Sequence, residues 1–426
     1  MLASEHVDER IQGLLESGDP DERLQGLRTV ALYEDQDAVE TARRLLAQDA
    51  EPEVREHAAR ALGVTAGARA LDSLLRAART DADAMVRRTA LAVLGEIGEH
   101  DVARALAALV DQLDAHDQAT AIDALRATGA REGLPVLVEL TRAESSHVRA
   151  LALHAFVTLG GAGAPDPKAT APQAGALPDI ERAAREVDEK GPLWALPAAA
   201  LVPGGPRLAA LAERLEREHT TRADRETIAY RALELPGPAR LETLRLLVDF
   251  AERTGERDAG LVAARELARA GSTHGARVLA SVLYDPAARG RVAAALALAE
   301  LGAALGEPFL RRRIAAAGGA DQGSVARALA LLGRPEGVRA LGALLSSDLP
   351  SERRLAASGF AALQRADGAA ELVRTLDYPL QSERVEALRA ARELWPEGPA
   401  IDPLASAAER RPAVERHAAH FGRRDP

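Results

Sequence analysis

The sequence predicts an all-α fold, an α-solenoid in which antiparallel helix pairs stack along one axis. Hydrophobic residues make up 47% of the 426 residues, yet Phe, Trp and Tyr together supply only 3%. The apolar set is dominated by Ala and Leu, which favour helices, whereas strands are rich in Val, Ile, Thr and aromatic residues. A motif also recurs about every 31 residues, a period typical of stacked-repeat arrays. A chain of this length is too long to fold around one ordinary hydrophobic core, whereas a repeat array extends its core along the chain.

The repeat is clearest between residues 19 and 160. The motif Asp-Ala-x-x-x-Val-Arg begins at Asp49 and again at Asp81, and an apolar helix pattern with Leu-Gly follows each copy. The equivalent positions in five copies lie 30–32 residues apart, at Leu24, Val54, Val86, Gln118 and Val148. Five copies at so regular an interval indicate structural repeats.

Each repeat is predicted to contain two helices. Pro or Asp opens the first helix, and Gly ends it, as N-terminal and C-terminal capping preferences require. In one copy the apolar residues recur at helical spacing from Val86 to Ile97, and the second helix follows with Val102, Leu106 and Leu109. One such pair exposes apolar residues on two sides, so it must stack on its neighbours.

The Val-Arg pairs at Arg55, Arg87 and Arg149 follow the buried Val of their repeats. Asp49 and Asp81 precede two of the first helices. We expect these groups to form an Asp–Arg ladder between neighbouring repeats, because the pairing recurs with the repeat and binding residues usually do not.

Residues 67–98 resemble the short HEAT-like repeat named after phycobilisome lyases. The resemblance is carried by Gly67-Ala-Arg-Ala-Leu-Asp-Ser-Leu-Leu, by Val86-Arg87 and by Leu94-Gly95-Glu-Ile-Gly98. A 31-residue period also suits this short form better than longer HEAT or armadillo units. The resemblance implies an α-solenoid with a binding role. It does not imply lyase activity, because most proteins built from this repeat are not lyases.

The array divides at a segment rich in Gly, Ala and Pro. We predict an N-terminal array over residues 1–160, a linker or loop over 161–178, and a C-terminal array over 179–426. The C-terminal array has degenerate repeats to about residue 280, clearer repeats over 285–395 and a capping tail. One continuous solenoid with a surface insertion is the alternative.

Several kinds of chemistry find no support in the sequence. The chain has no Cys, neither lysine is followed by Ser or Thr as in a P-loop, and no Gly-x-Ser-x-Gly motif occurs. We therefore predict no enzyme activity, no cofactor and no metal site, and we expect His417 and His420 near the C-terminus to be solvent-exposed. No signal peptide or membrane span is recognisable, so a cytoplasmic location is predicted. Arg far outnumbers Lys and Asn is absent, a bias typical of GC-rich bacterial genomes.

The function predicted from these observations is a protein-interaction scaffold that binds a partner protein on the concave face, where the second helices line up. Residues 1–60 carry 15 acidic residues and 7 Arg, which accounts for most of the net charge of −10. Charged residues of both signs are expected to point outward from the second helices, and we call these eight residues the second-helix row. They are Glu40, Arg43, Arg44, Arg69, Asp72, Arg76, Asp101 and Arg104.

Two other functions remain open from the sequence. The first is a bilin lyase or isomerase built on the same scaffold, which the resemblance favours slightly. The second is a nucleic-acid-binding HEAT array similar to the alkylpurine DNA glycosylases of this architecture. Such an array needs a basic groove with aromatic residues, and this acidic, aromatic-poor chain makes nucleic acid an unlikely partner.

Overall fold

A computed structural model describes residues 10–160, 177–203, 205–217, 220–316 and 321–422. These residues form helices joined by turns, with no strand among them. The all-α solenoid prediction is therefore confirmed. None of the described helices is both long enough and apolar enough to cross a membrane.

The helices up to residue 199 are α1 (described over 10–15), α2 (Pro20–Tyr33), α3 (Val39–Gln48), α4 (Pro52–Thr65), α5 (Leu71–Thr80), α6 (Ala84–Ile97), α7 (His100–Leu109), α8 (Ala115–Thr128), α9 (Leu134–Leu140), α10 (Ser146–Thr158), α11 (Leu177–Lys190) and α12 (Leu196–Ala199). The later helices are α13 (Ala209–Arg217), α14 (Arg222–Leu233), α15 (Gly237–Thr254), α16 (Arg257–Arg269), α17 (Ala276–Tyr284), α18 (Arg291–Glu300), α19 (Glu307–Ala315), α20 (Gln322–Leu331), α21 (Pro335–Leu345), α22 (Pro350–Ala362), α23 (Ala369–Thr375), α24 (Gln381–Leu394) and α25 (Ala407–Phe421). Short 3₁₀ turns precede or follow several of them, at Gly67–Ala70, Val110–Gln112, Arg131–Gly133, Leu193–Ala195 and Ala304–Gly306.

Helix α6 shows how a repeat is built. The Asp83 side chain caps its start by accepting hydrogen bonds from the amides of Met85 and Val86, and Gly98 ends it in the left-handed conformation. Val86 is fully buried. The first helices α2, α4, α6 and α8 pack on one another in chain order, and α3, α5 and α7 form the adjacent layer.

The predicted Asp–Arg ladder is confirmed. The Arg55 guanidinium donates to both carboxylate oxygens of Asp81 in the next repeat, at 2.8 Å each. Its remaining nitrogen donates to the Asp49 carbonyl at 2.9 Å in the turn before its own helix. Equivalent pairs join Arg23 to Asp49 at 2.7 Å, and Arg87 to Asp117 at 2.6 Å. Each Arg–Asp pair joins one repeat to the next, and the same arginine donates a hydrogen bond to a turn carbonyl.

The chain forms two compact units. Unit 1 comprises residues 1–136 and 346–426, and unit 2 comprises residues 137–345. The predicted linker at 161–178 lies outside the described residues up to position 176, and α11 begins at Leu177. The predicted division at that segment stays a prediction, whereas the two compact units meet in sequence at 136/137 and 345/346.

Unit 1 is discontinuous in sequence because α22 to α25 pack with the first repeats. Residues 378–410, which we call the closing segment, lie along the turns between the paired helices of those repeats. Gly98 is one point of contact: its φ is +61°, and a Cβ there would lie 2.6 Å from Cβ of Gln381. Only glycine fits both the left-handed backbone and the close approach at this turn.

Unit 2 continues the same pattern. Its first helices α14, α16, α18 and α20 pack in chain order, and α15 and α17 pack beside them. The ladder reappears in altered form, with Arg149 bonded to Glu186 at 2.8 Å and Arg225 to Glu256 at 3.0 Å. Glu in place of Asp and a longer spacing in sequence explain why the motif fades in this part of the chain.

Candidate binding surfaces

The second-helix row lies on three neighbouring second helices and one preceding turn. Glu40, Arg43 and Arg44 belong to α3, Asp72 and Arg76 to α5, and Asp101 and Arg104 to α7, while Arg69 lies in the 3₁₀ turn before α5. Seven of the eight are exposed, and Arg43 is half-buried. The helical spacing that buries Val39, Ala42 and Leu45 turns the neighbouring charged positions of α3 outward.

Two members of the row also hold the repeats together. The Arg43 guanidinium donates to the Arg69 carbonyl at 2.5 Å. The Arg69 guanidinium donates to the Gln36 side chain at 2.7 Å and to the Thr65 carbonyl at 3.0 Å, which satisfies the end of α4. Arg44 and Arg76 are therefore better probes of partner binding than Arg43 and Arg69.

The last two members of the row lie beside the closing segment. Asp101 and Arg104 pair with each other and line a cavity of about 460 Å³ together with Glu132 and Glu409. His100 lies at its edge, with Nδ1 2.7 Å from Glu132 and Nε2 3.1 Å from Asp402 of the closing segment. Burial lowers the pKa of His100, but the hydrogen bond to Asp402 and the charge of Glu132 outweigh it and raise the pKa.

The contacts that hold the closing segment were not anticipated from the sequence. Arg384 is 1% exposed and donates to the carbonyls of Tyr378, Pro379 and Pro403 within its own segment, and to Ile97 at the end of α6. Burial and the neighbouring Arg410 lower the pKa of Arg384 to about 10. It occupies the ladder position of its repeat, but carbonyl oxygens replace the carboxylate of the next repeat.

Two further sets of contacts join residues 346–426 to the first repeats. Arg410, 2% exposed, pairs with Asp377 at 2.8 Å and with Glu99 at 3.2 Å. Glu34, just after α2, accepts from Arg354 at 2.8 Å and from the Tyr378 hydroxyl at 2.7 Å. Burial and the bond to Glu34 raise the pKa of Tyr378. The sequence marks Gly98 as the end of a helix, but neither Gly98 nor Glu34 identifies the residue that meets it.

The prediction that His417 and His420 are solvent-exposed is wrong. His417 is fully buried on α25, where its ring packs edge-on against Trp395 and its Nε2 lies 3.3 Å from the Pro399 carbonyl. His420 is half-buried and stacks on the same Trp395 with ring centroids 3.7 Å apart. Burial lowers the pKa of His417. Their three-residue spacing therefore serves packing against an aromatic ring.

A second candidate surface lies within unit 2. A cavity of about 560 Å³ is lined by residues from α16, α18, α19 and α20. Four arginines face it, namely Arg265, Arg269, Arg291 and Arg313. The repeat pattern of the sequence does not identify them as a group, because they come from two neighbouring repeats and occupy no common repeat position.

Comparisons with known proteins agree with the repeat architecture. Residues 7–95 match the family model described as HEAT repeats. No curated protein sequence matches the chain. Together with the stacked helix pairs and the Asp–Arg ladder, the match shows HEAT-like repeats over residues 7–95 of a chain with an α-solenoid fold.

Several solved structures share this helical character at low identity. YibA of Escherichia coli is 15% identical, with 75% of this chain and 98% of that chain covered and a TM-score of 0.31. UNC-45 from Drosophila melanogaster is 16% identical, with 89% and 53% covered and a TM-score of 0.28. A C-terminal fragment of the Chaetomium thermophilum cohesin loader SCC2 is 11% identical, with 96% and 45% covered and a TM-score of 0.27. This chain thus spans about half the length of UNC-45 and of the SCC2 fragment. With TM-scores this low, the three structures indicate nothing about its function.

Proposed function

We propose that this protein is a non-enzymatic interaction scaffold that binds a partner protein on the surface formed by the second-helix row. The observation that supports the proposal is the exposure of charged residues of both signs on three neighbouring helices, above repeats that the ladder fixes in place. Mixed charges of this kind favour a protein surface, which also carries both signs, over a uniform polyanion.

The buried ionisable groups support binding rather than catalysis as the role of the fold. Arg384, Arg410 and His417 are engaged with carbonyls, carboxylates or an aromatic ring that hold helices together. These contacts join parts of the structure to one another, which is a structural role for the three side chains. The cytoplasm of a bacterium stays the predicted location.

The experiment compares two charge reversals in the full-length protein. Arg44→Glu with Arg76→Glu changes two exposed members of the second-helix row and leaves the bonds of Arg43 and Arg69 intact. Arg28→Glu with Arg60→Glu is the matched control, because both side chains are exposed on the first helices α2 and α4. The partner is captured from extract of the source organism with the wild-type protein, purified, and titrated against all three proteins by calorimetry.

We expect the row variant to bind the purified partner about tenfold more weakly, since each lost charge pair removes up to roughly 1 kcal/mol and each reversed charge adds repulsion. The control should bind as the wild type does. Both variants should keep the wild-type helicity and melting temperature. Equal affinity of the row variant and the wild type would show that the partner binds elsewhere.

A further inference from the structure

We propose that the arginine-lined cavity of unit 2 binds an acidic segment of a partner protein, in which acidic side chains alternate with apolar ones. The cavity has a volume of about 560 Å³, which is in the range of sites that hold several side chains. The inference rests on the proposed scaffold function for its biological meaning, but it concerns a different surface and different residues.

The charge of the cavity is the first argument. Four arginines line it against a single carboxylate, Asp321, in a chain whose net charge is −10. Asp321 is already bonded to Arg313 at 2.9 Å and 3.2 Å. The lining therefore keeps a formal excess of three positive charges, and the field inside favours anions.

The second argument is that two of these arginines lack a carboxylate partner. Half-buried arginines elsewhere in the repeats pair with carboxylates, as Arg55 does with Asp81 and Arg87 with Asp117. By contrast, no carboxylate lies within ion-pair distance of Arg265 or Arg291 among the residues that the structure describes. Arg269 pairs with Glu266 at 2.6 Å on its own helix and projects from the same face of α16 as Arg265, four residues away.

Arg291 is held in a fixed orientation. Its Nε donates to the Leu283 carbonyl at 2.9 Å, and its guanidinium carbon lies 4.4 Å from the centroid of the Phe309 ring. A guanidinium fixed on an aromatic face loses little further entropy when it binds, and its outer nitrogens match the geometry of a carboxylate. Arg291 is also the first residue of α18, where the helix dipole adds to the positive potential.

The apolar part of the cavity lining indicates which kind of anion the cavity favours. Val292, Leu296 and Phe309 give the cavity an apolar side next to its guanidinium groups. A nucleic acid strand would need a continuous basic track with stacking platforms, and a free phosphate ion would leave the apolar side uncovered. A peptide with Glu or Asp beside Leu or Val satisfies both sides at once.

The test uses the full-length protein and a short fluorescein-labelled peptide that alternates Glu and Leu, with binding followed by fluorescence anisotropy. Arg265→Gln with Arg291→Gln removes the two uncompensated charges. Arg240→Gln with Arg245→Gln is the matched control, because both residues are exposed on α15 of the same unit and the change in charge is the same. Arg265→Gln alone is a second variant, which breaks no side-chain hydrogen bond to another described residue and so keeps the fold.

We expect wild type and control to bind the peptide with affinities that fall as salt rises. The double variant should bind at least about tenfold more weakly, and Arg265→Gln alone should bind several-fold more weakly. A Gln–Leu peptide should not bind. The proposal is overturned if the wild type fails to bind the Glu–Leu peptide, if the cavity and control variants bind it equally, or if inorganic phosphate or single-stranded oligothymidylate displaces it at comparable concentration. The calorimetric test of the second-helix row uses other residues, so a negative result in one experiment does not affect the interpretation of the other.

Discussion

At the scale of single residues, three arginines show how the surroundings of a guanidinium group decide its role. Arg55 sits opposite a carboxylate and forms a rung of the ladder. Arg384 occupies the same repeat position but its hydrogen bonds go to carbonyl oxygens, including those of Pro403 and Ile97. It is buried there, and its pKa is lowered. Arg265 faces a cavity, and there it is available to an external anion. Residue type alone does not distinguish the three roles.

His100 gives a residue-scale prediction about pH. Because its pKa is raised in the folded protein, its pairing with Glu132 and Asp402 contributes stability that is complete below about pH 6.5, the ordinary histidine value, and is lost as pH rises through the raised pKa. The pKa of Asp402 is lowered: burial raises it, and bonds from the Leu404 amide and His100 outweigh that effect. Its share is lost only as pH falls through that lowered pKa.

We expect His100→Gln to melt below wild type between about pH 5 and 6.5, and the two curves to converge toward pH 9. The ring is partly exposed, so the difference should stay under about 1 kcal/mol, or a few degrees. Thermal melts across pH measure it, with the exposed His116→Gln as control. A difference that is constant over the whole pH range would mean that the contact is not ionic.

At the scale of helices, small residues set how closely the repeats stack. Gly95 lies where α6 crosses α8: a Cβ added there would lie 2.7 Å from Cα and 2.8 Å from the carbonyl oxygen of Ala124. Backbone atoms cannot yield as a flexible side chain can. The high Ala and Gly content is thus a consequence of close helix packing as well as of helix propensity.

Two Gly→Ala substitutions should therefore act in opposite directions. Gly95→Ala should destabilise unit 1 by about 1–3 kcal/mol, because overpacking forces α6 and α8 apart. Gly342→Ala on α21 meets nothing within 4 Å and should stabilise by about 0.5–1 kcal/mol through helix propensity. Urea denaturation of both variants measures the changes. A neutral Gly95→Ala would indicate that this helix crossing is looser than the structure has it.

Helix pairs were predictable from the sequence, whereas the contacts of the closing segment were not. Val86 and Gly98 mark the body and the end of α6 through local periodicity and capping, and α8 likewise ends at the left-handed Gly129. Helix α4 ends at Ala66 without a glycine. Ile97 and Arg384 lie 287 positions apart, and neither residue type predicts the other. The second-helix row was predictable as exposed from helical phase. The hydrogen bond of Arg43 to the next repeat depends on the distance between helices, and helical phase does not predict that distance.

At the scale of the whole molecule, unit 1 is assembled from two stretches that are far apart in sequence. Buried and half-buried polar contacts join residues 1–136 to residues 346–426, where the closing segment meets the turns of the first repeats. Arg384 is the most buried of these contacts, and it satisfies four carbonyl oxygens at 2.7–2.8 Å. Removing it leaves the buried carbonyls of Tyr378 and Ile97 without this donor.

Arg384→Met keeps an unbranched aliphatic chain but removes the guanidinium group and with it every one of those donors. We expect it to lower the free energy of unfolding of unit 1 by at least about 2 kcal/mol, since each unsatisfied buried acceptor costs about 1–3 kcal/mol. Arg392→Met is the matched control, because Arg392 is exposed on the same helix. Its effect should stay within about 0.5 kcal/mol.

Hydrogen exchange on the full-length protein locates the effect. The His100 amide is the diagnostic site: it opens α7, has no acceptor within its own helix, and donates to the Leu404 carbonyl of the closing segment at 3.0 Å. Its protection therefore reports the closing contact directly. In Arg384→Met, exchange should accelerate at this amide and across the closing segment, while the helices of residues 137–345 keep their protection. Uniform acceleration over both units would instead mean that they unfold as one cooperative body, and the contacts of Arg384 would then stabilise the entire chain.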